Sequence, residues 1–191
     1  NRLKIGIPKN EQYTLKNRLK TEIPEINLKK IVLLNANTSD IVPLRKWPLD
    51  NFIELGKWLL ENYEVTIVLT GSIEEHSASE NLAREIDPER VINFAGKTTF
   101  KELITLYSLG DLLVTNDSGP VHFASTTNIP IIALFGPETP KIFGPMSPAA
   151  KVISVGLACS PCISVFNQKK SSCNDNQCMK QITVEMVIKE T

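Results

Sequence analysis

The chain has 191 residues, 42% of them hydrophobic, and equal numbers of acidic and basic side chains, 21 each. That size and apolar content support one domain or a small pair with a real core, and the balanced charge gives no field to gather nucleic acid or an anionic membrane. No apolar run approaches the length of a bilayer-crossing helix and the start lacks a signal-peptide pattern, so a cytoplasmic setting is expected; the chain begins at Asn1 rather than Met, which leaves room for an upstream domain.

Residues 1–29 are Lys-rich and weakly periodic, with Pro8 and Pro24, and read as a connector carrying one amphipathic helical segment. From residue 30 onward strand and helix alternate. Ile31 to Leu34 is a continuous apolar run suited to a strand buried on both faces. A polar loop from Asn35 to Lys46 follows, and Trp47-Pro48 opens a helix with Phe52, Leu55, Leu59 and Leu60 at helical spacing. Val65 to Leu69 predicts the next strand, followed by a helix through Leu82, Ala83 and Ile86 that ends before Asp87-Pro88. Val91 to Phe94 predicts a third strand, and Phe100, Leu103, Ile104 and Tyr107 a helix ended by Gly110. Two further apolar runs, Asp111 to Thr115 and Ile129 to Phe135, flank Asp117-Ser118-Gly119-Pro120-Val121-His122. This pattern predicts an α/β fold with a doubly wound parallel sheet and ligands at the carboxyl ends of its strands.

The stretch from Asp117 to His122 reads as a strand, a tight turn and a short helix, with Ser118 or Gly119 as cap and Pro120 in the first turn. Backbone N–H groups converging there suit a pyrophosphate, and His122 would add a hydrogen-bond donor or a positive charge. Asp117 repels a phosphate and is better suited to accept hydrogen bonds from sugar hydroxyls. Capping alone is the plainer reading of the same turn.

Cys159, Cys162, Cys173 and Cys178 are the four cysteines, clustered near the end. C-x2-C followed by C-x4-C suits a structural zinc, local disulfides or unliganded thiols. The uneven spacing fits standard zinc modules poorly, and a reducing compartment disfavours stable disulfides, so no metal is expected.

Taken together, the chain from about Lys30 resembles the nucleotide-binding, carboxyl-terminal half of the heptosyltransferase family. Arg45-Lys46-Trp47-Pro48, Gly71 with Glu75, Thr115 to Ala124, and Ala133-Leu134-Phe135-Gly136-Pro137 carry the likeness. The cysteine-bearing tail resembles that of heptosyltransferase II-like members. The resemblance implies a Rossmann-like domain, residues 30–191, of a GT-B glycosyltransferase that moves heptose from ADP-heptose to the lipopolysaccharide inner core, with residues 1–29 as the interdomain connector. It implies Arg45 or the adjacent Lys46 on the sugar donor's phosphates, Glu75 on ribose hydroxyls, Ser118, Gly119 and His122 on the diphosphate, and Asp117 on the transferred sugar, at the opposite end of the donor from Arg45. Asn35, Asn37 and Thr38 belong to the donor loop, which reads Asn35 to Asp40 where relatives carry a Thr- or Ser-rich segment.

The same likeness implies metal-independent inverting chemistry without a cofactor. The catalytic carboxylate and most of the acceptor site are expected in an amino-terminal domain, through which the full-length enzyme would touch the inner face of the cytoplasmic membrane. Trp47 is expected to pack beneath the first helix rather than stack on a base. A sugar-nucleotide epimerase and a non-catalytic nucleotide-sugar-binding module are the alternative functions.

Overall fold

A computed structural model of the chain describes residues 3–38 and 42–191, so Ser39 and Asp40 of the predicted donor loop lie outside the described residues. Six strands, β1 (Ile31–Asn35), β2 (Thr66–Leu69), β3 (Val91–Asn93), β4 (Leu112–Asn116), β5 (Ile131–Leu134) and β6 (Ala150–Ile153), form one sheet in the order β3-β2-β1-β4-β5-β6. All five pairings are parallel, as the alternation of strand and helix predicted. Strands β1 to β5 are buried at every residue, which is why they read as unbroken apolar runs. Strand β6 has no such signal: it is an edge strand with Lys151 and Val152 turned to solvent.

Alternate strand residues feed two cores. Val32, Leu34 and Val114 face α2 (Leu49–Asn62), α3 (His76–Ile86) and the terminal α8 (Val184–Ile188). Ile31, Leu33 and Leu113 face α1 (Lys9–Glu22), α4 (Phe100–Leu109) and the short α5 (Gly119–Ala124). Helix α4 starts with a capping box in which Thr99 Oγ1 accepts from Glu102 N and Glu102 Oε2 accepts from Thr99 N. The amino-terminal segment is built into this face. Leu15 and Leu19 of α1 are fully buried, each contributing roughly 1.5–3 kcal/mol of apolar burial, and Arg18 reaches Glu102 while Lys101 meets Glu11 at 2.8 Å.

A single turn, α6 (Pro140–Phe143), separates β5 from β6, and the tail after β6 crosses back to the carboxyl end of the sheet. In α7 (Gln177–Lys180), Cys178 and Met179 press against Gly136, where a Cβ would lie 2.6 Å from Met179 Sδ and 2.8 Å from Cys178 Sγ. Trp47 is buried as expected, edge-on to Phe52 at 4.9 Å, and its Nε1 donates to Ile182 O at 2.7 Å, tying α2 to the tail.

Asn116, at the end of β4, links two chain segments that leave β1. Its Oδ1 accepts from Trp47 N at 3.0 Å and its Nδ2 donates to Ala36 O at 2.8 Å, with Asn116 itself fully buried. Asn116→Ala orphans both backbone groups and should lower the unfolding free energy by about 2–4 kcal/mol, measured by urea denaturation.

Candidate functional site

Strand β1 pairs with β2 on one side and β4 on the other, so its exit and that of β4 lead to helices on opposite faces and leave a crevice between them. A cavity of about 310 Å³ lies at this carboxyl end. Its lining includes Asn35 at the end of β1, Asn37 and Thr38 after it, Thr70 to Ser72 and Glu75 after β2, Thr98 and Thr99 before α4, and Ser118 and Gly119 after β4. Leu103, Tyr107, Phe100 and Phe123 complete the lining, the last two in edge-to-face contact at 4.8 Å.

Several of these groups are already committed. Asn35 Nδ2 donates to Thr70 O at 2.9 Å and stitches the ends of β1 and β2. Asn37 Nδ2 reaches Ser79 Oγ at 3.4 Å. Glu75 Oε2 accepts from Ser72 N at 2.7 Å, so one oxygen closes the local turn while the half-buried carboxylate stands in the cavity wall. Gly71 leaves room for this approach: a Cβ there would lie 2.8 Å from Glu75 Oε2 and 3.0 Å from Asn37 Nδ2, so both side chains would have to shift. Ser118 caps α5 by position only: its hydroxyl donates to Asn116 O at 3.2 Å and accepts from no helix N–H. Pro120 occupies the first turn of α5 as predicted.

Arg45, at the end of the 3₁₀ turn Pro43–Arg45, is buried beside Asp117. Its Nη1 is 3.8 Å from Asp117 Oδ2 and donates to Glu138 Oε2 at 3.1 Å. The sequence places Arg45 and Asp117 at opposite ends of a donor, whereas the folded chain makes them an ion pair, because both follow adjacent central strands. Glu138, in the loop after β5, has a side chain only 1% exposed, and its Oε1 lies 3.6 Å from Lys169 Nζ. Sequence reasoning flagged that loop but not the acid. Lys169 had no signal, since it sits in the irregular segment after the first cysteine pair.

Burial raises the Asp117 carboxyl most strongly, Arg45 opposes the shift and Glu138 adds to it, leaving Asp117 pushed up to about 7. Tyr107 is raised by burial as well. Among the described residues, Thr38 Oγ1, Arg45 Nε, Tyr107 Oη, Asp117 Oδ2 and Glu138 Oε1 are buried without a hydrogen bond; Tyr107 belongs to α4, and the other four lie in the connections that leave β1, β4 and β5. Buried polar groups are normally paired, so their concentration here marks a place prepared for a polar ligand.

Four predicted residues, Arg45, Lys46, Asp117 and His122, do not line this cavity. Lys46 is exposed and borders a second, smaller cavity with Trp47 and Asn37. His122 is exposed on α5, away from the cavity wall. Of the cysteines, Cys159 is exposed and Cys178 buried, with burial and the neighbouring Cys162 raising the Cys178 thiol. No three His, Cys, Asp or Glu side chains converge as a metal-holding group among the described residues.

Residues 4–172 match glycosyltransferase family 9 (heptosyltransferase). The chain belongs to this family. Lipooligosaccharide heptosyltransferase 2 of Campylobacter jejuni subsp. jejuni serotype O:6 is 32% identical over 178 residues, covering 91% of this chain and 54% of that protein. Lipopolysaccharide heptosyltransferase 2 of Escherichia coli K12 is 36% identical over 115 residues, 58% of this chain and 32% of the relative. The solved structure of the E. coli ADP-heptose lipopolysaccharide heptosyltransferase II superposes with a TM-score of 0.77 at 24% identity, over 98% of this chain and 51% of that one. This family 9 chain thus spans about half the length of the Campylobacter relative and of the E. coli structure.

The raised Asp117 carboxyl has a stability consequence. The folded state holds this proton more tightly than the unfolded chain, so its contribution weakens stability progressively as pH rises from about 4 to about 7. The groups facing it are Arg45, Glu138 and Lys169. Asp117→Asn should therefore raise the melting temperature most at pH 8, by a free energy on the order of 1–4 kcal/mol, with the gain shrinking toward pH 4. Thermal unfolding across that range checks it.

Proposed function

We propose that this chain is the sugar-donor-binding half of a heptosyltransferase that transfers heptose from ADP-heptose to the lipopolysaccharide core. The observation that carries the reading is the set of buried polar atoms without hydrogen bonds in the connections that leave β1, β4 and β5, together with a cavity lined by both polar and aromatic side chains, as the phosphates and base of a nucleotide require. Membership of the heptosyltransferase family and a relative named for ADP-heptose support the choice of donor.

In this reading the base packs near Phe100 and Leu103, and Glu75 takes ribose hydroxyls with the oxygen that does not close its turn. Asn37, Thr38, Ser118 and Gly119 meet the diphosphate, and Arg45 supplies the positive charge where the leaving group's charge develops. Lys46 lies next to Arg45 in the chain and adds charge from the rim. Asp117 accepts hydrogen bonds from the sugar hydroxyls. An acceptor hydroxyl, deprotonated by a carboxylate outside this chain, attacks the anomeric carbon as ADP leaves. No helix of the described residues is long and apolar enough to cross a membrane, and the proposed setting is the cytoplasmic side of the membrane, where the lipopolysaccharide core would be met through the rest of the enzyme.

Calorimetry with ADP and ADP-heptose tests this directly. The chain should bind both without transferring sugar at an enzyme-like rate. Arg45→Ala should weaken both ligands by about 1–3 kcal/mol, with the loss shrinking as salt rises. Asp117→Ala should spare or tighten ADP while weakening ADP-heptose. Equal losses of both ligands in a folded Asp117→Ala protein would remove the sugar from Asp117, and absence of nucleotide binding by the wild type would defeat the donor-site reading.

A further inference from the structure

Glu138 has no assigned role, yet it joins three parts of the molecule. Its Oε2 accepts from Arg45 Nη1 at 3.1 Å, its Oε1 faces Lys169 Nζ at 3.6 Å, and the side chain is almost wholly buried. Lys169 projects from the segment 159–175, which is fastened beside Glu138 by backbone bonds from Cys162 N and Ile163 N to Pro137 O at 3.0 and 2.9 Å. Ser160 Oγ also donates to Gly136 O. Gln168 and Lys169 both adopt left-handed backbone conformations, φ 55° and 58°, at the point where the segment turns Lys169 toward the sheet.

An anionic ligand and Glu138 want the same guanidinium. Arg45 has a second carboxylate neighbour, Asp117, and a buried acid cannot lose its cation without a replacement. Lys169 is positioned to be that replacement, because it approaches the oxygen of Glu138 that Arg45 does not use.

We propose that Glu138 is a positioning and selectivity residue for the diphosphate: it holds Arg45 in the ligand-free protein, yields it to the incoming phosphates, and is then neutralised by Lys169 from the cysteine-bearing segment. The exchange also sets the preference between donor and product, since bare ADP carries more negative charge at its terminal phosphate than a nucleotide sugar, and the pair of acids beside Arg45 opposes that extra charge.

The inference rests on the donor-site reading above, and ADP is the probe that separates the two. Calorimetry should show Glu138→Gln binding ADP about three- to tenfold more tightly than the wild type, and Lys169→Met about three- to tenfold more weakly, at ordinary salt. In the double variant the Lys169→Met penalty should fall below about twofold, because a neutral amide in place of the Glu138 carboxylate needs no counter-charge. ADP affinity that is unchanged or weaker in folded Glu138→Gln, or a Lys169 penalty of equal size in both backgrounds, overturns the exchange and leaves Lys169 as a direct phosphate contact or a bystander. If Glu138→Gln does not fold, Lys169→Met alone decides, and wild-type affinity there refutes the proposal. A wild-type chain that does not bind ADP refutes the donor-site reading and this inference together, whereas binding by the wild type with no change in Glu138→Gln refutes this inference alone.

Discussion

The amide of Asn116 is the joint on which the carboxyl end of the sheet depends. It sits at the end of β4, yet both of its bonds go to the chain leaving β1, one to the Ala36 carbonyl and one to the Trp47 amide. The loop that begins at Ala36 and returns at Trp47 is thus anchored at both ends to the neighbouring strand. That anchorage delivers Arg45 to Asp117, the residue next to Asn116. Trp47, locked in turn by Phe52 and the Ile182 carbonyl, connects the joint to the core on the α2 face.

The arrangement is costly in the ligand-free protein. Arg45 and two acids lie in a region nearly free of water, and taking charges out of water is repaid only when geometry is close to ideal. Here it is incomplete: Arg45 Nε and one oxygen of each acid have no hydrogen bond. A protein selected for stability alone would fill such a position with apolar side chains. Retention of the cluster at the crevice between β1 and β4 is understandable when an anion and a polyhydroxyl ligand complete it, and the elevated Asp117 carboxyl is the same incompleteness expressed as proton affinity.

Much of the fold was legible because a doubly covered parallel sheet writes itself as apolar runs. The strands around Leu33, Val68, Ile92, Val114 and Ile132 are visible in this way. Strand β6 was not, since its exposed Lys151 and Val152 erase the run, and α7 and α8 are too short to establish a period. At the candidate site, the residue types in the turn at Asp117 point to the carboxyl end of the sheet, where the structure gathers the buried polar atoms without hydrogen bonds of Thr38, Arg45, Asp117 and Glu138. Pairing of Arg45 with Asp117 was invisible, because strand order rather than sequence distance brings them together. Glu138 was missed because an acid after Gly-Pro reads as a solvated turn residue, and only the return of the tail buries it. His122, expected on the diphosphate, is exposed on the short α5 and does not line the cavity.

The contact between Gly136 and the tail constrains how this family can drift in sequence. A side chain at position 136 has no space while Met179 and Cys178 occupy the other side, and Met179 is itself fully buried with no solvent into which to retreat. Size at one position must therefore be exchanged for size at the other. Across homologues, enlargement at 136 should be accompanied by smaller residues at 178 or 179, so these distant positions should covary as a volume-conserving set and mark the registry of the carboxyl-terminal segment on the sheet.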